Sequence, residues 1–184
     1  MFTIASAPHE TNLVFATRKT GSGFKRSLEK ASQQQVDIMG PRGNLVRNDS
    51  RPAVFIAGGI GVTPFRSMLM DALHRKLEQP ITLLSSNRYS SEIVFHDQFL
   101  KAAADFPSLF TYVPTVTQDD EANSSWSGER RRIDVNFIEQ YVPDFSAVTF
   151  YVCGPPAMVT AVSDMLIQKN ISQEHILAES FWGY

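Results

Sequence analysis

The sequence has a single cysteine, Cys153, so no internal disulfide can form. A lone thiol suits a reducing compartment and points to a cytoplasmic location. Charge excess is missing too: the formal net charge is −2, which gives no reason to expect nucleic acid or an anionic membrane as partner. The basic run Arg130-Arg131-Arg132 has acidic residues on both sides and reads as a solvated loop edge. No apolar stretch approaches the roughly 18 residues of a membrane span. The N-terminus lacks the order of basic, apolar and small residues that marks a secretory signal. His9, His74, His96 and His175 lie far apart and show no metal-ligand spacing, so no metal is expected.

What is present suits a soluble domain with a real core, or one domain plus part of another: 43% of residues are hydrophobic and 20% charged. MFTIASAP at the start alternates like a strand, and NLVFATRK (12–19) reads the same way. TGSGFKRSLEKA predicts a glycine-rich turn into a short helix with Leu28 as its apolar contact. VDIMG is a further strand, stopped by Pro41 and Gly43, with one more strand after them. The polar, proline-ended connector RNDSRP (47–52) places a domain boundary between residues 48 and 49. Beyond it, AVFIAG, ITLLSS, FTYVPTVT, VTFYVCG and HILAESF alternate with helical patterns, with a long polar loop at 118–132. The expected fold is α/β: a five-stranded parallel sheet with helices on both faces. The continuous apolar run of AVFIAG is that of a strand buried on both sides.

Ligands of doubly wound sheets sit at the carboxyl ends of the strands. The first strand ends in Gly58-Gly59-Ile60-Gly61-Val62-Thr63-Pro64. Alone, this is a tight strand-to-helix connection. In its order of strand, glycine turn, Thr63 as N-cap and Pro64 as first helical residue, it is suited to a pyrophosphate. The fourth strand ends similarly, in Cys153-Gly154-Pro155-Pro156-Ala157-Met158. Cys153 reads either as a small core hydrophobe or as a group acting beside that nucleotide. The terminal AESFWGY is aromatic where a polar tail is common; Phe181 suits the core, whereas Tyr184 could stack on a planar ligand.

Taken together, FTIASAP, GPRGN, FIAGGIGVTPFRSM, CGPPAM and ESFWGY, in this order, resemble the ferredoxin–NADP reductase family of flavoproteins, in its bacterial flavodoxin/ferredoxin reductase-like branch. The resemblance implies a flavin-binding antiparallel barrel, of which residues 1–48 are the C-terminal part and the N-terminal half is lacking, followed by an NAD(P)-binding domain over 49–184. It implies FAD, rather than FMN, and NAD(P)H as cofactors. Phe2 matches the aromatic against the flavin ring and Thr3 the hydroxyl near its N5, with Met1 in the motif's variable place. Ala16 and Thr17 match the strand along the flavin. Gly23, Phe24 and Lys25 fall where its pyrophosphate is held, Lys25 replacing a serine.

For the nucleotide, the resemblance assigns Gly58, Gly59, Gly61, Val62, Thr63 and Pro64 to the pyrophosphate. Cys153, Gly154, Pro155 and Met158 fall at the nicotinamide end. Thr117 stands with Gln118 in place of the pair that grips the 2′-phosphate, and Ser86 and Arg88 could serve instead. Thr3, Cys153, Glu179 and Tyr184 would be the catalytic set, with Glu179 and Tyr184 near the flavin ring. The implied function is hydride transfer from NAD(P)H to flavin, then electrons to a ferredoxin, flavodoxin or iron–sulfur partner. The alternative is an NAD(P)-binding module or truncated fragment that does not hold flavin by itself. A partial barrel would leave strand edges that predict self-association.

Overall fold

The computed structural model describes residues 2–19, 21–31, 35–43, 45–119 and 125–182. Five parallel strands, β1 (Ala53–Gly58), β2 (Ile81–Asn87), β3 (Phe110–Val116), β4 (Thr149–Gly154) and β5 (Ile176–Ser180), form one sheet in the order β3-β2-β1-β4-β5. The register sets Phe55 between Leu83 and Tyr151. Because side chains alternate along a strand, β1 feeds two cores. Phe55 points to the side of helices α2 (Thr63–His74) and α3 (His96–Asp105), where it stacks on Phe65 at 4.7 Å and meets Tyr151 edge-on. Val54 and Ile56 point to the other side, where Phe137, Ile138, Val159, Val162 and Leu166 come from α4 (Val135–Tyr141) and α5 (Pro156–Gln168). All six residues of β1 are buried, which is why its sequence is an unbroken apolar run. Burying one such phenylalanine contributes about 1.5–3 kcal/mol.

The chain leaves β1 toward β2 and β3, and only later returns to add β4 on the other flank of β1. Right-handed crossovers running in opposite directions put the helices on opposite faces. A crevice consequently opens where β1 and β4 end side by side.

The N-terminal segment keeps to the expected barrel only sparsely. The two predicted strands meet antiparallel in one bridge, Ile4 with Phe15, with Ala5 N–H donating to Val14 O at 2.8 Å. VDIMG forms no strand, nor do residues 45–52, and Val36, Ile38 and Met39 are exposed. A strand is stable only against hydrogen-bonded neighbours and a covered face, and these stretches have neither among the described residues. Helix α1 (Gly23–Lys30) forms where expected, but Leu28 does not bury and the helix has no buried residue.

Polar contacts with α2 hold this segment in place. Arg66, buried on α2, donates to both oxygens of Glu10 at 2.8 and 2.9 Å, to Ala5 O at 2.7 Å and to Gln98 Oε1 at 2.8 Å. Its guanidinium also lies 5.1 Å from the Phe95 ring centre. Ser67 Oγ donates to Ser6 O at 2.8 Å, and Glu10 accepts from Ala7 N–H at 2.6 Å. The Arg66 guanidinium is the main cause that holds the Glu10 carboxyl at about 2, below its ordinary 4.5.

Because the folded carboxyl stays ionised where the unfolded one takes up a proton, this clamp stabilises the fold above about pH 4.5 and is lost progressively as pH falls toward 2. Over that interval the stability of Glu10→Gln should therefore fall less steeply with pH than that of the wild type, read from acid unfolding. It should also speed proteolysis of the first 19 residues at neutral pH, read by limited digestion and mass spectrometry.

Candidate nucleotide site at the carboxyl ends of the strands

The loops after β1 and β4 pack backbone against backbone. A Cβ on Gly154 would lie 2.9 Å from Gly58 Cα and 3.0 Å from Gly58 N. One on Gly61 would lie 2.6 Å from the Cys153 carbonyl carbon, and one on Gly58 would lie 2.7 Å from Pro155 Cδ. These three glycines are required by contact between the two loops. Gly59 differs: its φ of +53° is left-handed, and the space beside its Cα faces the Arg18 guanidinium.

A 3₁₀ turn over Gly59–Val62 runs straight into α2. Thr63 is therefore the first residue of the helix and not its N-cap, a correction to the sequence reading. Its hydroxyl turns back to donate to Ile60 O at 3.0 Å. Pro64 is accordingly the second helical residue, one place later than expected, and still within the first turn that tolerates proline. The first amides of a helical entry have no acceptor within the helix, and here that entry, at the Gly59 end of the turn, borders a cleft.

That cleft, of about 160 Å³, is lined by Gly58, Gly59, Ser86, Arg88, Thr117, Pro155 and Met158, which the sequence reading picked out, and by Arg18, Ile60 and Asn87, which it missed. Arg88 is exposed at the carboxyl end of β2. Thr117 is held by its backbone N–H to Asn87 O at 3.0 Å, and its hydroxyl turns to the same oxygen at 3.3 Å. Asn87 is 5% exposed; its Nδ2 donates to Ser85 Oγ at 3.3 Å, while its Oδ1 is buried with no partner. A polar residue closing the apolar strand ITLLSSN was a visible signal for Asn87. Nothing local marked Arg18, because its nearness to Gly59 is purely tertiary.

Gly61, Val62, Thr63, Cys153 and Gly154 stand behind the cleft and do not line it. Cys153 is fully buried in the core on the α2 side, in register with Glu179 on β5. Burial, and then the Glu179 carboxylate, push its thiol well up from the ordinary value, so it is held neutral. The thiol is packed within that core.

A second, larger groove of about 850 Å³ runs between the N-terminal segment and α2. It brings together Phe2, Thr3, Pro64 and Glu179. One face of Phe2 is stacked on Phe24 at 5.7 Å, and Phe15 meets its edge at 6.4 Å. Ser22 caps α1: its Oγ accepts from Lys25 N–H at 3.3 Å. Ala16, Thr17, Gly23 and Lys25 line neither hollow. Tyr184 and Met1 fall outside the described residues. Among the described residues no group of histidine, cysteine and acidic side chains could hold a metal, and no helix is long and apolar enough to cross a membrane.

A parallel sheet with a glycine turn and a polar-lined cleft at its switch point is the architecture of a nucleotide-binding domain. Residues 55–164, more than half of the sequence, match the oxidoreductase NAD-binding domain family, and the chain belongs to it. Over 98% of its length it is 31% identical to the CDP-6-deoxy-L-threo-D-glycero-4-hexulose-3-dehydrase reductase of Yersinia pestis, covering 54% of that protein. It is 28% identical, again over 98% of its length, to the phenol hydroxylase P5 protein of Acinetobacter pittii (strain PHEA-2), covering 52% of that one. The chain thus spans about half the length of the curated relatives it matches. Among solved structures it resembles a ferredoxin NADP+ reductase from Neisseria gonorrhoeae with bound FAD and NADP. The TM-score is 0.79 at 24% identity, over 98% of this chain and 79% of that one, a likeness of fold.

The glycine packing leads to a direct expectation. Gly61→Ala must push the Cys153 carbonyl away and should destabilise the protein by about 1–3 kcal/mol, read from urea unfolding. Gly21→Ala, where the nearest atom is the flexible Arg26 tip at 3.7 Å, should fall within about 0.5 kcal/mol of wild type.

Proposed function

We propose that this chain is the nicotinamide-nucleotide-binding part of an NAD(P)H-dependent flavin oxidoreductase. In this reading residues 49–184 form the nucleotide domain and residues 1–48 supply one wall of the flavin site. The observation that carries it is Asn87. A buried acceptor without a partner costs about 1–3 kcal/mol, and a turn of this side chain, which lines the cleft, would bring its Oδ1 to nucleotide hydroxyl or amino groups. The left-handed Gly59 and the amides at its end of the turn suit a diphosphate. Ser86 and Arg88 stand at the end of β2 for the adenosine ribose, with Arg88 offering a cation to a 2′-phosphate.

When bound, the nicotinamide supplies a hydride and the flavin accepts it. The chain's own part is positioning. Gly58, Gly154 and the neutral Cys153 set the spacing of the two loops, and Pro155 and Met158 wall the cleft. The Thr3 hydroxyl and the Glu179 carboxylate share the larger groove, where they can hydrogen-bond a flavin edge. Phe2, which lines the larger groove, and the backbone at Ala16, Thr17 and the start of α1 would make the flavin wall. The Yersinia relative is itself named a reductase. A ferredoxin, flavodoxin or iron–sulfur protein as electron acceptor, and a cytoplasmic setting, belong to the same proposal.

A second reading is favoured by the apolar residues left open around the larger groove. Leu13, Ile38, Met39 and Val46 are all more than half exposed there. On that reading the chain binds NAD(P)H, holds flavin weakly alone and self-associates through this face.

Titrating ADP-ribose, NADH and NADPH by calorimetry, and FAD by its visible absorption, separates the two. Both readings require nucleotide binding, and its absence would refute them together. A yellow protein that keeps FAD through gel filtration and is bleached by NAD(P)H supports the complete enzyme. A colourless protein that still binds the nucleotide supports the module.

A further inference from the structure

Phe2 and Thr3 line the larger groove, and the backbone just after them is held from two sides. On one side Ile4 bridges Phe15, Ala5 N–H donates to Val14 O at 2.8 Å, and Ser6 Oγ accepts from Val14 N–H at 3.0 Å. On the other side α2 takes the carbonyls: Arg66 Nη1 donates to Ala5 O at 2.7 Å and Ser67 Oγ to Ser6 O at 2.8 Å. Arg66 also grips both oxygens of Glu10, whose Oε2 accepts in turn from Ala7 N–H. Ala5, Ser6 and Ala7 are buried under these contacts. The guanidinium is itself held by Gln98 Oε1 on its Nε and by the Phe95 ring, both from the start of α3 and the residue before it. Yet Arg66 lines neither hollow, whereas Pro64, two residues earlier on α2, lines the larger groove.

We propose that Arg66 is a positioning residue for the flavin ring: through Ala5 O and the Glu10 carboxylate it fixes where Phe2 and Thr3 stand relative to Pro64 and Glu179. This rests on the flavin wall proposed above. A guanidinium suits the task, because its planar fork of donors fixes direction as well as distance. Buried as it is, it has no water to turn to when a partner moves. A ring is bound by several groups at once, so a displacement of about 1 Å at Phe2 and Thr3 weakens all of their contacts together. The nucleotide cleft shares no lining residue with the larger groove, and its shape is set by the loops after β1 and β4. Loss of Arg66 therefore acts on the ring ligand and spares the nucleotide.

The test compares riboflavin, followed by quenching of its fluorescence, with ADP-ribose, followed by calorimetry, on the intact chain. Arg66→Met should weaken riboflavin roughly tenfold or more and leave ADP-ribose within about twofold of wild type. Arg66→Lys should recover part of that loss, as a point charge without the fork. Glu10→Gln, which sets a neutral amide against the guanidinium, should weaken riboflavin about two- to fivefold and ADP-ribose not at all. It carries the same comparison should Arg66→Met not fold. If the cluster only braces the fold, these variants will weaken both ligands alike, and the proposal falls. It also falls if they bind riboflavin as the wild type does. A wild-type chain that binds ADP-ribose but no riboflavin would overturn the flavin wall itself, and the role of Arg66 with it.

Discussion

Everything at the candidate site depends on two stretches of backbone touching with no side chain between them. The ends of β1 and β4 approach so closely at Gly58, Gly61 and Gly154 that any Cβ would collide with main-chain atoms or with Pro155. Main chain gives way far less readily than side-chain tips, so Gly61 and Gly154 are the strictest positions, whereas at Gly58 a Cβ would meet the Met158 tip and the Pro155 ring. It sets the distance between the two loops, and with it the width of the cleft beside them. A glycine-rich turn is often explained by the ligand it admits. Here most of its glycines answer to the other loop, and only Gly59, by its backbone conformation and its open side, answers to what lies in the cleft.

The N-terminal segment is fastened to this frame largely by polar contacts, with the His9 ring stacked on His74 at 3.9 Å beside them. Arg66 gathers Ala5, Glu10 and Gln98 around one buried guanidinium, and Ser67 adds a bond to Ser6. Such an anchor specifies position closely, because breaking it strands a buried cation. Elsewhere the segment is loosely dressed: α1 buries nothing, and Leu13, Ile38, Met39 and Val46 border an open groove. The contrast between a firm anchor and an uncovered apolar face is what separates the two readings of flavin retention.

Much of the nucleotide domain was legible along the chain. Apolar runs such as AVFIAG and VTFYVCG, broken by helical spacings, announced a sheet buried on both faces, and all five strands stand where they were expected. Pro155 and Met158 follow a strand end that this pattern marked, Ser86, Arg88 and Thr117 were implied by the family resemblance, and the five do converge. The strands read in the first 47 residues fared worse, because alternation shows only that a stretch could lie in a sheet. VDIMG has the pattern but lacks neighbours, and it stays irregular. Thr63 had the right residue type for a cap, but the 3₁₀ turn before it took over the helix start.

The sequence by itself determined the alternation of strands and helices, the two-sided burial of the sheet and the glycine turns at its switch point. These follow from periodicity and from residues whose backbone freedom is local. Only the tertiary structure decided which loops meet, why Gly58, Gly61 and Gly154 cannot bear a side chain, and that Cys153 faces the core. It alone brought Arg18 beside Gly59 and left Asn87 Oδ1 without a partner at the cleft. Those are relations between groups far apart in the chain, set by strand order and crossover direction, and no local pattern encodes them.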